Sequence, residues 1–149
     1  MLKPIMMPLK LALLGAVIGL LSACTDLENT ADNESTRWYA AAQLAQGKVI
    51  FADHCAACHG LHGEGVVDWK TPDENGFYPA PPINGTAHAW HHSSKVLLRT
   101  INMGGELLGG SMPGFQGRLT AKEQRVVIAA FQHYWPDNIY AQWRVIDRR

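Results

Sequence analysis

An all-α fold, a few short helices joined by long loops, is what this sequence predicts, and three observations predict it. No stretch alternates apolar and polar residues over the length of a strand; three segments read as helices; and the connections are rich in Gly, Pro, Asn, Asp and His. The chain has 149 residues, nearly half of them apolar, which is a one-domain length with enough material for a single core. Its loops outrun what such helices cover with their own side chains. Something else is expected to fill the middle.

The first element is a leader. Lys3 and Lys10 form a basic start, "LALLGAVIGLL" is an 11-residue apolar run, and the small residues Ser22 and Ala23 follow, so residues 1–23 read as an export signal. The run is shorter than the roughly 20 residues that span a bilayer. Cys24 comes next, and "LSAC" resembles the lipobox of bacterial lipoproteins, whose cysteine becomes the acylated first residue. Three cysteines are an odd count for an exported protein, and an acyl anchor on Cys24 accounts for the odd one; a disulfide is the alternative. Then "TDLENTADNES", with four acids and no base, reads as a flexible acidic tether over 24–35. The remaining domain runs from 36 to 149.

Within that domain the Ala-rich, proline-free "STRWYAAAQLAQGKVIFADHC" predicts a helix over about 36–53, with Ser35 or Thr36 as N-cap. Residues 60–94 are a long loop with "TPDENG" and "APPING" as turn clusters, a length that implies a function or something to wrap around. "SSKVLLRTINMGG" is a short helix capped by Ser93 or Ser94, with Val96, Leu97, Thr100 and Ile101 on one face and Gly104 at its end. A glycine-rich loop follows. The last helix opens on a T-x-x-E capping box, Thr120 with Glu123, places Val127, Ala130, Phe131 and Tyr134 on one face, and stops at Pro136. Residues 137–149 are left as a tail.

Charge is balanced, 13 basic against 13 acidic side chains; without Lys3 and Lys10 of the leader it is 11 against 13, a net of about minus two. There is no basic excess to neutralise phosphates, so nucleic acid is not the expected partner.

The chemistry sits in "FADHCAACHG". A redox dithiol C-x-x-C belongs at a helix N-terminus after a strand, whereas here it follows a helix. A zinc site needs a second ligand pair; His88, His91 and His92 could supply part of one, His88 and His92 being four apart, but the domain has no third cysteine. C-x-x-C-H as a haem attachment signature uses every residue. Cys55 and Cys58 would each add to a vinyl group, and His59 would present its ring to the iron. One covalent haem c is therefore the expected cofactor. Its iron has a sixth position, for which Met112 in "GGSMPGF" is favoured: Pro113 biases it to extended backbone, and a thioether is a soft, neutral ligand that favours ferrous iron. Met103, at a helix end, reads as packing, and His91 and His92 as loop or haem-edge residues.

With these motifs in place, the chain resembles a class I c-type cytochrome over about residues 36–136. "AQGKVIFADHCAACHG" matches the family's first helix through the spacing of Gly47, Phe51 and Cys55; "SMPGF" resembles its distal M-P-x-F loop, and "LTAKEQRVVIAAFQHYWP" its final helix. The resemblance implies that Gly47 lets the C-terminal helix cross closely, with Phe51 packed on it. Tyrosine is frequent in the family where Ala130 falls, so Phe131 is expected to supply the crossing aromatic. "APPING" looks like the family's G-P-x-L-x-G segment, which implies that the Pro81 carbonyl accepts the Nδ1 hydrogen of His59 and that Ile83 lies on the haem. Trp90 either donates its indole N–H to a haem propionate or is a core aromatic. Loop 61–79 and tail 137–149 fall outside the match.

What this implies is a small class I cytochrome c fold, its short helices and long loops wrapped around one covalent haem. Its expected role is one-electron transfer as a carrier rather than an enzyme, since six-coordinate iron leaves no open position. Its expected place is the periplasmic side of a bacterial membrane, inner or outer, held by the Cys24 lipid as a monomer with transient redox protein partners. Two rivals stand beside it: a peroxidase-like or gas-binding protein with a labile or absent methionine ligand, and a fixed relay subunit of a larger complex, docked through the tail with Trp143.

Overall fold

A computed structural model describes residues 37–149. The export signal over 1–23, the acyl anchor Cys24, the tether over 24–35 and the caps Ser35 and Thr36 lie outside the described residues.

The first helix, α1 (Ala41–His54), starts later than its composition alone suggests. Its N-cap is Ala40, whose backbone N–H is taken by the Gln43 side chain at 2.9 Å, so a residue inside the first turn serves an end with no capping oxygen of its own. A further single turn, α2 (Ala56–His59), follows through Cys55 and ends at Gly60, whose φ of 78° reverses the chain. The long loop is broken by a 3-10 turn, His88–His91. Next comes α3 (Ser94–Met103), between the expected Ser93 and Gly104. Leu97 and Ile101 are its buried residues, while Val96 of the same predicted face is exposed.

The next helix, α4 (Ala121–Gln132), is the centre of the molecule. The Thr120 hydroxyl accepts from Glu123 N at 3.2 Å, and the Glu123 carboxylate accepts from Thr120 N at 2.8 Å, the expected reciprocal cap. Val126 through Gln132 are all buried, so the helix is apolar beyond one face, as befits an element enclosed by neighbours. Gly47 of α1 meets it so closely that a β-carbon there would run into the Val126 carbonyl, with the Ala130 methyl also at 3.5 Å. Ala130 stands at this crossing, and Phe131 beside it turns to Trp135 and the interior.

The C-terminal stretch left as a tail is instead a helix, α5 (Asp137–Asp147), with Pro136 as its N-cap. Proline cannot continue a helix but suits the start of one, so the residue that stops α4 also launches α5. Tyr140 and Trp143 are buried beneath it. The Trp143 indole donates to the His92 carbonyl at 3.0 Å, and the Asp147 carboxylate accepts from Ser94 N at the start of α3. Trp143, 2 % exposed, is thus part of the core and not a docking piece.

Among the described residues the only sheet-like pairing is an isolated parallel bridge between Tyr78 and Gly110, so the all-α expectation holds. No described helix is long and apolar enough to cross a membrane.

Candidate haem site

Cys55 ends α1 with its N–H on the Phe51 carbonyl at 2.9 Å, and its own carbonyl accepts from Cys58 N and His59 N at 3.1 and 2.9 Å. That single turn brings Cys55, Cys58 and His59 to one wall of a cavity of about 580 Å³. Phe51 of α1, Leu97 and Ile101 of α3, Val127 and Phe131 of α4, and Phe115 supply apolar wall from the helices and the loop before α4. Met112 lines the same cavity, whereas Met103 is 56 % exposed and does not.

The His59 ring is buried, 8 % exposed, and its Nδ1 lies 3.0 Å from the Pro81 carbonyl, the contact expected from "APPING". A carbonyl only accepts, so Nδ1 carries the proton and Nε2 keeps its lone pair. Burial pushes the His59 pKa below the ordinary range, with the Pro81 bond acting in the opposite sense, and the neutral ring is the form able to ligate a metal. Pro81 is itself held. Its neighbour Ala80 accepts from Val66 N at 2.9 Å, and Ile83 donates to the Gly63 carbonyl at 2.7 Å. Ile83 lines the cavity while its carbonyl accepts from the Trp135 indole at 2.7 Å.

No disulfide joins Cys55 to Cys58. Burial, and then the neighbouring Cys58, push the Cys55 thiol up to about 11, which keeps it protonated and is the reverse of the lowered value that a redox dithiol uses. Among the described residues no group of three or more His, Cys, Asp or Glu side chains is placed to hold a metal ion.

Trp90, for which the sequence leaves a propionate donor and a core aromatic both open, is half-buried and outside the cavity wall; its ring lies on His91 with centroids 3.7 Å apart. Trp69 lines the wall instead, stacked on His88 at 5.6 Å, with Lys70 Nζ 5.1 Å from the Trp69 ring centre. His88, His92 and Lys70 join it there. Loop 61–79 gives no periodic signal that marks Trp69 as a wall residue. The stack on His88 is a tertiary contact across the long loop. His54 lines the rim but is exposed, its ring 6.2 Å from that of Phe115.

A helical shell closed on an apolar cavity, with C-x-x-C-H on its wall and the histidine held by a main-chain carbonyl, is the construction of a class I c-type cytochrome. Residues 42–131 match the family described as cytochrome c oxidase, cbb3-type, subunit III, and the chain belongs to that family. It is 34 % identical over 89 residues to cytochrome c6 of Synechocystis sp. (strain ATCC 27184 / PCC 6803 / Kazusa), an alignment that covers 60 % of this chain and 63 % of that protein. The chain thus spans somewhat under two thirds of that relative's length. The crystal structure of cytochrome cL from the marine methylotrophic bacterium Methylophaga aminisulfidivorans MPT has the same fold, with a TM-score of 0.53 at 21 % identity over 85 % of this chain and 78 % of that one. Membership implies covalently bound haem c, and Cys55, Cys58 and His59 fit its attachment motif. The cavity fits the group as well: it is apolar, it reaches both thiols, and His59 turns its unbonded nitrogen from the Pro81 carbonyl.

Proposed function

We propose that this protein is a one-electron carrier with His59 and Met112 as the axial ligands of its haem, tethered by an acyl group on Cys24 to the periplasmic side of a bacterial membrane. The observation that carries the reading is that His59 and Met112 line one apolar cavity together with Cys55 and Cys58. Haem bound there supplies a ferric–ferrous couple. The residues do the rest. The two cysteines hold the group through thioethers, Pro81 orients the His59 ring, and the Met112 thioether favours the reduced state. Ile83, Phe51 and Phe131 keep water from the centre, and Trp69, Lys70, His88 and His92 on the cavity wall would offer polar groups to the propionates. Cys58 is exposed, which supports electron transfer at the edge nearest the thioethers.

The tether, acidic and free of bases, would let a monomeric domain visit transient redox partners along the membrane. A second reading, a relay fixed within an oxidase, is favoured by the description of the matched family. Visible absorption and carbon monoxide binding test the first: a reduced holoprotein that binds carbon monoxide rapidly has an open iron and is not this carrier. Co-purification from membranes in mild detergent separates the second, since a fixed relay comes away with its complex. Mass spectrometry of the N-terminus checks the lipid on Cys24.

A further inference from the structure

Met112 lies in a glycine-rich loop whose regular structure is one short 3-10 turn, Glu106–Leu108. Gly104, Gly105, Gly109, Gly110 and Gly114 surround it, and each glycine widens the backbone freedom that must be lost to hold the side chain in place. Inside the loop, Gly105 N donates to the Met112 carbonyl at 2.9 Å, and Gly110 N donates to the Gly105 carbonyl at 2.9 Å. Leu108 N and Gly109 N donate to the Gly105 and Glu106 carbonyls, both at 2.9 Å, in a 3-10 turn, and further ties come from outside. Tyr78 N donates to the Gly109 carbonyl at 2.8 Å, and Ser111 N donates back to the Tyr78 carbonyl at 3.2 Å, forming the parallel bridge of Tyr78 with Gly110.

Tyr78 is delivered to that bridge by a turn that closes on Asp73. The Asp73 carboxylate accepts from Asn75 N and Phe77 N, both at 2.9 Å, and Asp73 N donates to the Phe77 carbonyl at 2.9 Å. On its other side Tyr78 runs straight into Pro79, Ala80, Pro81 and Pro82. Three of these four residues have φ locked by their rings. Pro81 is the residue whose carbonyl receives the His59 ring proton at 3.0 Å. One stiff segment therefore touches the support of both His59 and Met112, and the three residues from Tyr78 to Pro81 can reach no further than roughly 11 Å.

We propose that residues 78–82 are a cross-brace that sets the reach of the Met112 loop from His59, with Tyr78 as a positioning residue that acts through its main chain. This rests on the reading of His59 and Met112 as the two axial ligands. A thioether is a weak ligand, and a loop already tied at Gly109 and Ser111 has less entropy to lose when its methionine engages than a free glycine loop does. Untying it raises the fraction of molecules in which the sixth position is open, and an added ligand binds more tightly in proportion to that fraction.

The test uses ferric holoprotein of the full chain, titrated with imidazole in the visible spectrum, with the reduction potential measured alongside. Tyr78→Pro removes the donor to Gly109 and is expected to bind imidazole about tenfold more tightly than wild type, with a lowered potential. Tyr78→Phe retains both main-chain bonds and is expected to restore the wild-type weakness of binding. Asp73→Ala opens the turn from outside the cavity wall and is expected to act in the same direction as Tyr78→Pro, which keeps the test in hand if the proline variant does not fold. Met112→Ala sets the limit of an open site. If Met112→Ala binds imidazole tightly while Tyr78→Pro and Asp73→Ala stay at the wild-type affinity and potential, the brace is overturned and the ligand reading stands. Should Met112→Ala itself match wild type, the ligand reading fails and the brace fails with it.

Discussion

At Gly47 α1 packs so tightly on α4 that the Val126 carbonyl occupies the space a β-carbon would need. Alanine there gains about 1 kcal/mol of helix propensity. It also forces apart two main chains that have no rotamer with which to give way, an overpacking that costs about 1–3 kcal/mol. Gly47→Ala is therefore expected to destabilise the holoprotein, seen as a lower guanidinium midpoint with an unchanged slope; a midpoint at or above wild type would mean the crossing opens without cost. The Trp135 indole poses a different question, because its N–H satisfies the Ile83 carbonyl in the segment that also positions His59. Trp135→Phe keeps most of the ring but strands that carbonyl, at about 1–3 kcal/mol. Equilibrium unfolding measures it. At this scale the attachment motif and Gly47 were legible because their spacing is short-range and each position admits few residue types. Trp69 and His88 were not, since their stack joins residues from opposite ends of a loop without periodicity.

At the scale of elements, α4 shows how much a local signal carries. Thr120 and Glu123 cap each other as the T-x-x-E pattern implies, and Thr120→Ala is expected to cost about 1 kcal/mol through the lost cap. The Glu123 carboxyl is held below the usual range by the Thr120 backbone N–H first and by the Thr120 hydroxyl second. A carboxyl depressed in the folded state stabilises it above the unfolded pKa and loses that contribution as pH falls through the folded pKa. Alanine keeps the backbone N–H but loses the hydroxyl's bond to the carboxylate, so the gap between wild type and Thr120→Ala, measured by urea unfolding across a pH series, should narrow in acid; a gap that is constant with pH would place the hydroxyl's value in its bond from Glu123 N alone. Helix α5 was missed on the same kind of local ground. Pro136 reads as a stop, yet Ile139, Tyr140, Trp143 and Ile146 beyond it recur at helical spacing, a legible pattern that the proline obscured. The bridge of Tyr78 to Gly110 left no such trace, because its bonds are made by main-chain atoms common to every residue there.

Over the whole molecule, the cavity is walled by elements of unequal support. The α1–α4 crossing holds one side by direct helix packing, whereas the stretch around His88 and His92 has little regular structure of its own and leans on α5. The buried Trp143 indole bonds the His92 carbonyl, and the Asp147 carboxylate accepts from the half-buried start of α3 at Ser94, where negative charge also suits the helix dipole. Removing the Trp143 side chain takes away the packing and that bond together, at about 3–5 kcal/mol. The loss should not spread evenly, because local opening follows the contacts removed. In Trp143→Ala holoprotein, amide hydrogen exchange is expected to rise most over residues 88–97, on the His92 wall and the first turns of α3, while amides of α1 and α4 near Gly47 and Val126 keep their protection. Equal acceleration in both places would mean that α5 stabilises the molecule only as a whole. Slow exchange confined to the crossing, with the His92 wall opening first, would identify α5, a helix outside the matched span of residues 42–131, as the strut behind that wall of the cavity.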